Sequence, residues 1–295
     1  MGQIIRAVAA DDMIKMAVIT AQDMVEKARE IHSLSPTACA ALGRTMLGAS
    51  LLGNAMKGEQ NSLTIRINGG GPVGNLVAVS DSGGNVRAYA NVPQADLPSR
   101  SDGKLDVGGL VGRDGTLTVS RDLGMKEPYI GSVALVSGEI AEDLTAYLVE
   151  SEQVPSACGL GVLVGTDKSI LAAGGFLVQL LPGASDELIS RIEENIFLMD
   201  QLTTILHEDG AEAVLRQVLR GLEPQILSTE EVEYRCTCSR ARIGSALKST
   251  GADTLRELAA EGKETEVTCQ FCGKDYLFLP GELLAMAEQD ECEAQ

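Results

Sequence analysis

Two short motifs carry most of the chemistry open to this chain: Cys236-Thr237-Cys238 and Cys269-Gln270-Phe271-Cys272, with thirty residues between them. Four thiolates are soft donors that satisfy the tetrahedral preference of Zn2+ at about 2.3 Å, leaving no open position for a substrate. The expected cofactor is therefore one Zn2+ per chain, held in the reduced form by Cys236, Cys238, Cys269 and Cys272. A structural zinc is worth about 10–16 kcal/mol in small peptides, enough to fold a segment with too little core of its own. The same thiolates can lose electrons. Oxidation within each pair would remove the donors, and a disulfide across Cys236 and Cys238 would close a loop short enough to be strained and readily reduced. Spacing alone leaves a permanent, static zinc site as the other reading. Arg235, Arg240, Arg242 and Lys274 lie beside the ligands in sequence, where positive charge favours thiolate.

Other residues offer weaker signals. Cys39 and Cys158 sit alone among small residues and read as buried apolar groups, while Cys292 lies in a polar tail. Gly69-Gly-Gly-Pro-Val-Gly74 matches G-x-G-x-x-G, but a strand follows where the dinucleotide fingerprint needs a helix, so a turn is expected. The chain has two histidines, His32 and His207, each near a helix end with no motif that would make it a catalytic base. No catalytic residue is identified, and the chain is expected not to be an enzyme.

The composition narrows the partners. With 42 acidic against 24 basic residues the formal charge is −18, which opposes binding to nucleic acid or anionic lipid. The start of the chain has no signal-peptide pattern and no long apolar run follows, so a cytoplasmic location is expected. Aromatic residues make up only 3% and Trp is absent, so a core of Ala, Val, Leu and Ile closely packed around Gly is implied.

An α+β fold must position these residues. Ile4 to Ala9 and Met16 to Thr20 read as strands and Gln22 to Ile31 as a helix. Ser35 and Pro36 then start a buried helix reaching toward Gly58, whose Gly43, Gly48 and Gly53 suggest close passage of another backbone. From Ser62 the period changes to two, giving strands at Leu63–Ile67, Asn75–Ser80, Val86–Asn91, Thr116–Arg121 and Ile130–Ser137. Glu139 to Ser151 is helical, and Gly161–Val164 with Ile170–Leu180 forms a hairpin. A helix carrying Leu188, Ile192, Ile196, Met199, Leu202 and Leu206 follows, then a shorter one with Val214, Val218 and Leu222. Between Asp186 and Glu231 there are eleven acids and three arginines, so this stretch has an acidic outer face and an apolar face in need of a partner. Ordinary helices packed on the sheet and a releasable cover both fit it. Beyond it come Val232 to Tyr234 extended, helical pieces at Ala241–Leu247 and Thr254–Glu261, and a hairpin from Glu266 to Leu279 bearing the second cysteine pair. The expected organisation is a core domain at 1–181, an amphipathic helical linker at 182–231 and a zinc domain at 232–295.

With these motifs in view, the chain resembles the redox-regulated heat-shock holdase family of about 33 kilodaltons from bacterial cytoplasm, the Hsp33 family. The zinc signature maps onto Cys236, Cys238, Cys269 and Cys272. Pro36-Thr-Ala-Cys-Ala-Ala-Leu-Gly-Arg44, Gly69 to Gly74, Val86-Arg-Ala-Tyr89, Ser151-Glu-Gln-Val-Pro-Ser156 and Gly174-Gly-Phe-Leu-Val-Gln179 look like family blocks. The resemblance implies a reduced, zinc-bound, inactive state. It also implies an oxidised state with disulfides 236–238 and 269–272, in which zinc is released, the linker loosens, and an active homodimer holds unfolding client proteins without ATP. A nucleic-acid adaptor with a static zinc ribbon is the rival reading from a different class, and the acid excess counts against it.

Overall fold

The structure is a computed structural model that describes residues 2–293, with side chains described through residue 289. The fold is α+β, as the sequence predicts, and divides into two compact units, Met1–Arg235 and Cys236–Gln295.

The first unit holds two five-stranded antiparallel sheets. One contains β1 (Gly2–Ala9), β2 (Ile14–Thr20), β8 (Ser156–Val164), β9 (Ile170–Leu180) and β10 (Gln225–Val232), in the order β10-β1-β2-β9-β8. The other contains β3 (Ser62–Gly70), β4 (Leu76–Asp81), β5 (Val86–Ala90), β6 (Gly112–Asp122) and β7 (Tyr129–Ala134), in the order β5-β4-β3-β6-β7. Alternation along β1 and β2 divides their side chains between two cores. Ile4 and Ile19 join the main core with α1 (Gln22–His32) and α2 (Pro36–Asn54), whereas Ile5, Ala7, Met16 and Val18 face the other way.

Helix α2 is the buried axis of the main core. Ser35 caps it by accepting a hydrogen bond from the Ala38 amide, and Pro36 occupies the first turn. The expected close backbone is present at one of its three glycines: a Cβ on Gly53 would sit 2.7 Å from the Asp81 carbonyl oxygen. At Gly48 and Gly43 the space is instead taken by the side chains of Leu144 and Val162. Gly69 to Gly74 forms the expected turn from β3 into β4, packed against the short helix α3 (Val107–Val111) so tightly that a Cβ on Gly69 would lie 2.4 Å from the Gly112 carbonyl oxygen. α4 (Ala141–Glu150) closes this core, its buried Asp143 accepting hydrogen bonds from the amides of Val136, Ser137, Gly138 and Ile140.

The opposite face of the first sheet is covered by α5 (Asp186–Phe197), α6 (Leu202–Glu208) and α7 (Ala211–Val218). The single helix expected through Leu188 and Leu206 is two helices, broken between Phe197 and Leu202. The break turns α6 onto small residues of the sheet: Thr203 lies over Gly161 and Leu206 over Gly174. Asn195 is the buried polar side chain of this layer and donates hydrogen bonds to the carbonyls of Val218 and Arg220, both 3.0 Å, tying α5 to the end of α7. After α7 the chain returns to the sheet as β10, a polar edge strand with Val232 as its one buried residue. Tyr234, one bridge further on, pairs with Val86.

The second unit contains α8 (Arg240–Lys248), α9 (Ala252–Ala260), β11 (Thr265–Thr268), β12 (Asp275–Phe278) and α10 (Pro280–Glu293). Its apolar centre gathers Leu247, Leu255, Phe278, Leu283 and Ala287 around Cys269 and Tyr276. Cys292 lies outside the residues whose side chains are described.

Candidate metal centre

The hairpin β11–β12 presents the second cysteine pair. The Cys269 amide donates to the Lys274 carbonyl at 2.9 Å, and the Gly273 amide donates back to the Cys269 carbonyl at 2.9 Å with Gly273 at φ +68°. That left-handed residue lets the chain turn sharply enough for Cys269 and Cys272 to face the same point. The first pair lies in irregular chain ahead of α8. Ser239 caps α8 through the Arg242 amide, and the Arg242 guanidinium donates to both the carbonyl and the hydroxyl of Thr237, fixing the residue between the two thiols.

The sulfur atoms of Cys236, Cys238, Cys269 and Cys272 all lie within 4.8 Å of one another, so four residues separated in sequence are positioned to hold a metal ion. Cys236 Sγ is 3.8 Å from Cys269 Sγ, and Cys238 Sγ is 3.4 Å from Cys272 Sγ. In a tetrahedron with metal–sulfur bonds of about 2.3 Å, the sulfur–sulfur edge is about 3.8 Å. Donor type, number and separation therefore fit a closed, tetrahedral thiolate site.

Cys238 and Cys272 sit in different electrostatic surroundings. For Cys238, burial acts to raise the pKa, but hydrogen bonds from Tyr276 and the neighbouring cysteines prevail and bring it to about 7. For Cys272, burial and its place as hydrogen-bond donor to the other thiols push it up to about 12. Tyr276, whose hydroxyl lies 3.1 Å from Cys238 Sγ, is a positioning residue absent from the sequence reading. The clue available in sequence was its place four residues beyond Cys272, which puts it on the same hairpin. Replacing it, Tyr276→Phe, is expected to weaken Zn2+ affinity about tenfold, as loss of a ligand's hydrogen-bond partner commonly does. Competition against a chromophoric chelator measures this, and an unchanged affinity would remove Tyr276 from the site.

The basic residues expected to steady the thiolates are engaged elsewhere. Arg235 pairs with Glu233 and Arg242 holds Thr237. Arg240 pairs with Glu282 and lies 4.5 Å over the Phe278 ring, while Lys274 lies 5.3 Å from the centre of the Tyr276 ring. Closeness in sequence does not by itself aim a cation at sulfur, because a side chain's direction is set by the helix and hairpin that carry it. Cys39, fully buried in α2, and Cys158, in β8, lie apart from the quartet, and burial pushes each thiol up to about 12. Both are held as neutral thiols, poor nucleophiles near neutral pH. His32 and His207 contact the carbonyls of Ala88 and Leu171. Among the described residues, no helix is long and apolar enough to cross a membrane.

Comparison with known proteins places this architecture. A family model described as Hsp33 protein matches residues 2–279. The 33 kDa chaperonin of Alkaliphilus metalliredigens is 43% identical over 289 residues, covering 98% of this chain and 99% of that protein. The 33 kDa chaperonin of Bacillus subtilis is 41% identical over 290 residues, with 98% and 99% covered. The crystal structure of the 33 kDa chaperonin of Thermotoga maritima, a heat shock protein 33 homologue, superposes with a TM-score of 0.89 at 35% identity, covering 98% of this chain and 99% of that one.

Proposed function

The chain belongs to the Hsp33 family, and from that membership we propose that it is a molecular chaperone that holds unfolding proteins, without ATP, when oxidants convert its four clustered cysteines to disulfides. The observation that carries the reading is the convergence of four thiols within 4.8 Å in a unit with a small apolar centre. Bound there, Zn2+ would supply a crosslink between the Cys236–Cys238 loop and the β11–β12 hairpin. Cys236, Cys238, Cys269 and Cys272 are its proposed ligands.

In the proposed switch, Cys236 pairs with Cys238 and Cys269 with Cys272. Each pair of thiols gives up two electrons and two protons as its S–S bond forms, and one hydrogen peroxide, its O–O bond broken, takes them up as two waters. Four such sulfurs no longer supply four thiolate donors.

We assign residues 1–181 to the chaperone core, 182–231 to a linker and 232–295 to the redox switch. In the structure the helices of the linker span hide Phe176, Val178, Met16 and Val18 on the sheet. Loss of order in the switch would shift the linker toward an open population and uncover this apolar face, which selects exposed hydrophobic segments with little sequence preference. The active form is proposed to be a homodimer working in the cytoplasm. Treating the full-length reduced protein with peroxide at mildly raised temperature is expected to consume four thiols per chain, release one zinc and suppress light scattering by an unfolding client. Complete thiol loss and zinc release with no protection of the client would overturn the proposal.

A further inference from the structure

Beside the C-terminal end of α2, residues of β1, β2 and β9 on the α2 side of the first sheet, opposite the face covered by α5, α6 and α7, line a groove. Two adjoining cavities of about 400 and 340 Å3 share Ala55 and Gln179. Leu52, Met56 and Leu148 line one of them, and Ala17, Leu177 and Leu227 the other. Strand alternation and register explain the surface. Arg6 on β1 is paired with Ala17 on β2, Ala17 with Leu177 on β9, and Lys15 with Gln179, so all point to the α2 side of the sheet.

The charge of this groove is the reverse of the molecule's. Its lining has four basic residues, Arg6, Lys15, Lys57 and Arg121, against one acid, Glu152, whereas the whole chain has 24 basic and 42 acidic residues. Arg121 is neutralised by Glu152 at 2.7 Å, but the side chains of Arg6, Lys15 and Lys57 have no ion-pair partner among the described residues. At its two ends stand exposed apolar side chains, Leu227 at 64% and Leu123 at 41%. An apolar floor with unpaired cations along its rim complements a ligand that carries both apolar groups and carboxylates.

We propose that this groove binds an extended segment of an unfolding polypeptide in which apolar side chains alternate with Asp or Glu. The proposal rests on the chaperone reading above and names the chemistry of one client-binding surface within it. Alternation fits the geometry, because successive side chains of an extended chain point to opposite sides: one set meets the apolar floor and the other the cationic rim. The interaction gives an otherwise strongly anionic protein a place where acidic segments are not repelled.

The probes are two short fluorescein-labelled peptides, one alternating valine with glutamate and the other valine with lysine, titrated against the full-length protein. The glutamate peptide is expected to bind more tightly, with affinity that falls as salt is added. The double variant Arg6→Glu, Lys15→Glu is expected to weaken it about tenfold, a loss of about 1.4 kcal/mol. Lys57→Glu, beyond the end of α2 and outside any strand, should act in the same direction without disturbing the sheet, whereas Lys126→Glu, outside the groove, should not. Equal affinity for the two peptides, or equal losses from Lys57→Glu and Lys126→Glu, would overturn the proposal. So would a loss of binding traced to altered self-association on size exclusion, or preferential capture of phosphatidylglycerol vesicles. Client protection by the oxidised parent protein separates the two claims: if it is absent the chaperone reading fails, and if it is present while peptide affinity ignores the rim charges, the groove alone fails.

Discussion

Removing the metal from the four-cysteine centre with a chelator is expected to melt residues 236–295 while residues 1–235 remain folded. The magnitudes decide this outcome. A single core in a unit below about 70–80 residues rarely supplies more than about 3–5 kcal/mol, whereas a structural zinc contributes about 10–16 kcal/mol. The apolar centre of this unit is modest, built on Leu247, Leu255, Phe278, Leu283 and Ala287, and Cys269 and Tyr276 complete it. The first unit has its own core around α2, with Leu42, Met46 and Leu47 fully buried. Hydrogen exchange read by mass spectrometry, before and after chelation, resolves the two units. Amide protection retained across 265–278 without metal would show that the thiols do not hold the unit together, and the proposed switch would lose its physical basis.

The second large effect is expected from Val214→Asp in α7. Val214 is fully buried against the sheet face that carries Met16, Val18 and Phe176. An unpaired carboxylate there costs several kcal/mol, and α7 has eight residues, too short to persist without packing. The helix should undock, and the reduced variant, zinc still bound, should bind a hydrophobic dye and suppress client aggregation without peroxide. Val214→Ala, which leaves a cavity instead of a charge, should produce a smaller shift of the same kind at a cost of about 2 kcal/mol. Glu212→Gln, on the exposed side of the same helix where Glu212 pairs with Arg216, should behave as the parent protein does. A reduced Val214→Asp protein that stays folded and inert toward clients would contradict the role given to this helical layer.

The difference between these two tests reflects what each layer depends on. The quartet is held by donor atoms, so its stability follows metal and redox chemistry. The helical layer is held by packing and by the two hydrogen bonds of Asn195, so its stability follows core substitutions.

Much of this was legible in the residues themselves. Period-two alternation at Leu63, Ile65 and Ile67 marked a strand with one buried face, and the Ser35-Pro36 cap marked the start of α2, because local sterics and hydrogen bonding act within a few residues. The pattern failed where tertiary context decided. β10, with the sequence QILSTEEV, has no alternation strong enough to announce a strand, and exists because β1 offers it an edge. The break between α5 and α6 lies within a continuous helical pattern, and follows from the small residues Gly161 and Gly174 that receive α6 from across the fold.

By itself the sequence determined that four cysteines form two tight pairs suited to a soft, tetrahedral metal, since ligand type and short spacing are local properties of the chain. Only the tertiary structure decided that the pairs converge within 4.8 Å, that Tyr276 rather than a neighbouring arginine reaches a sulfur, and that Arg6, Lys15 and Lys57, three cations without an ion-pair partner among the described residues, line an apolar groove. Those outcomes depend on the directions in which separate helices and strands present their side chains, and such directions emerge only once the elements have packed together.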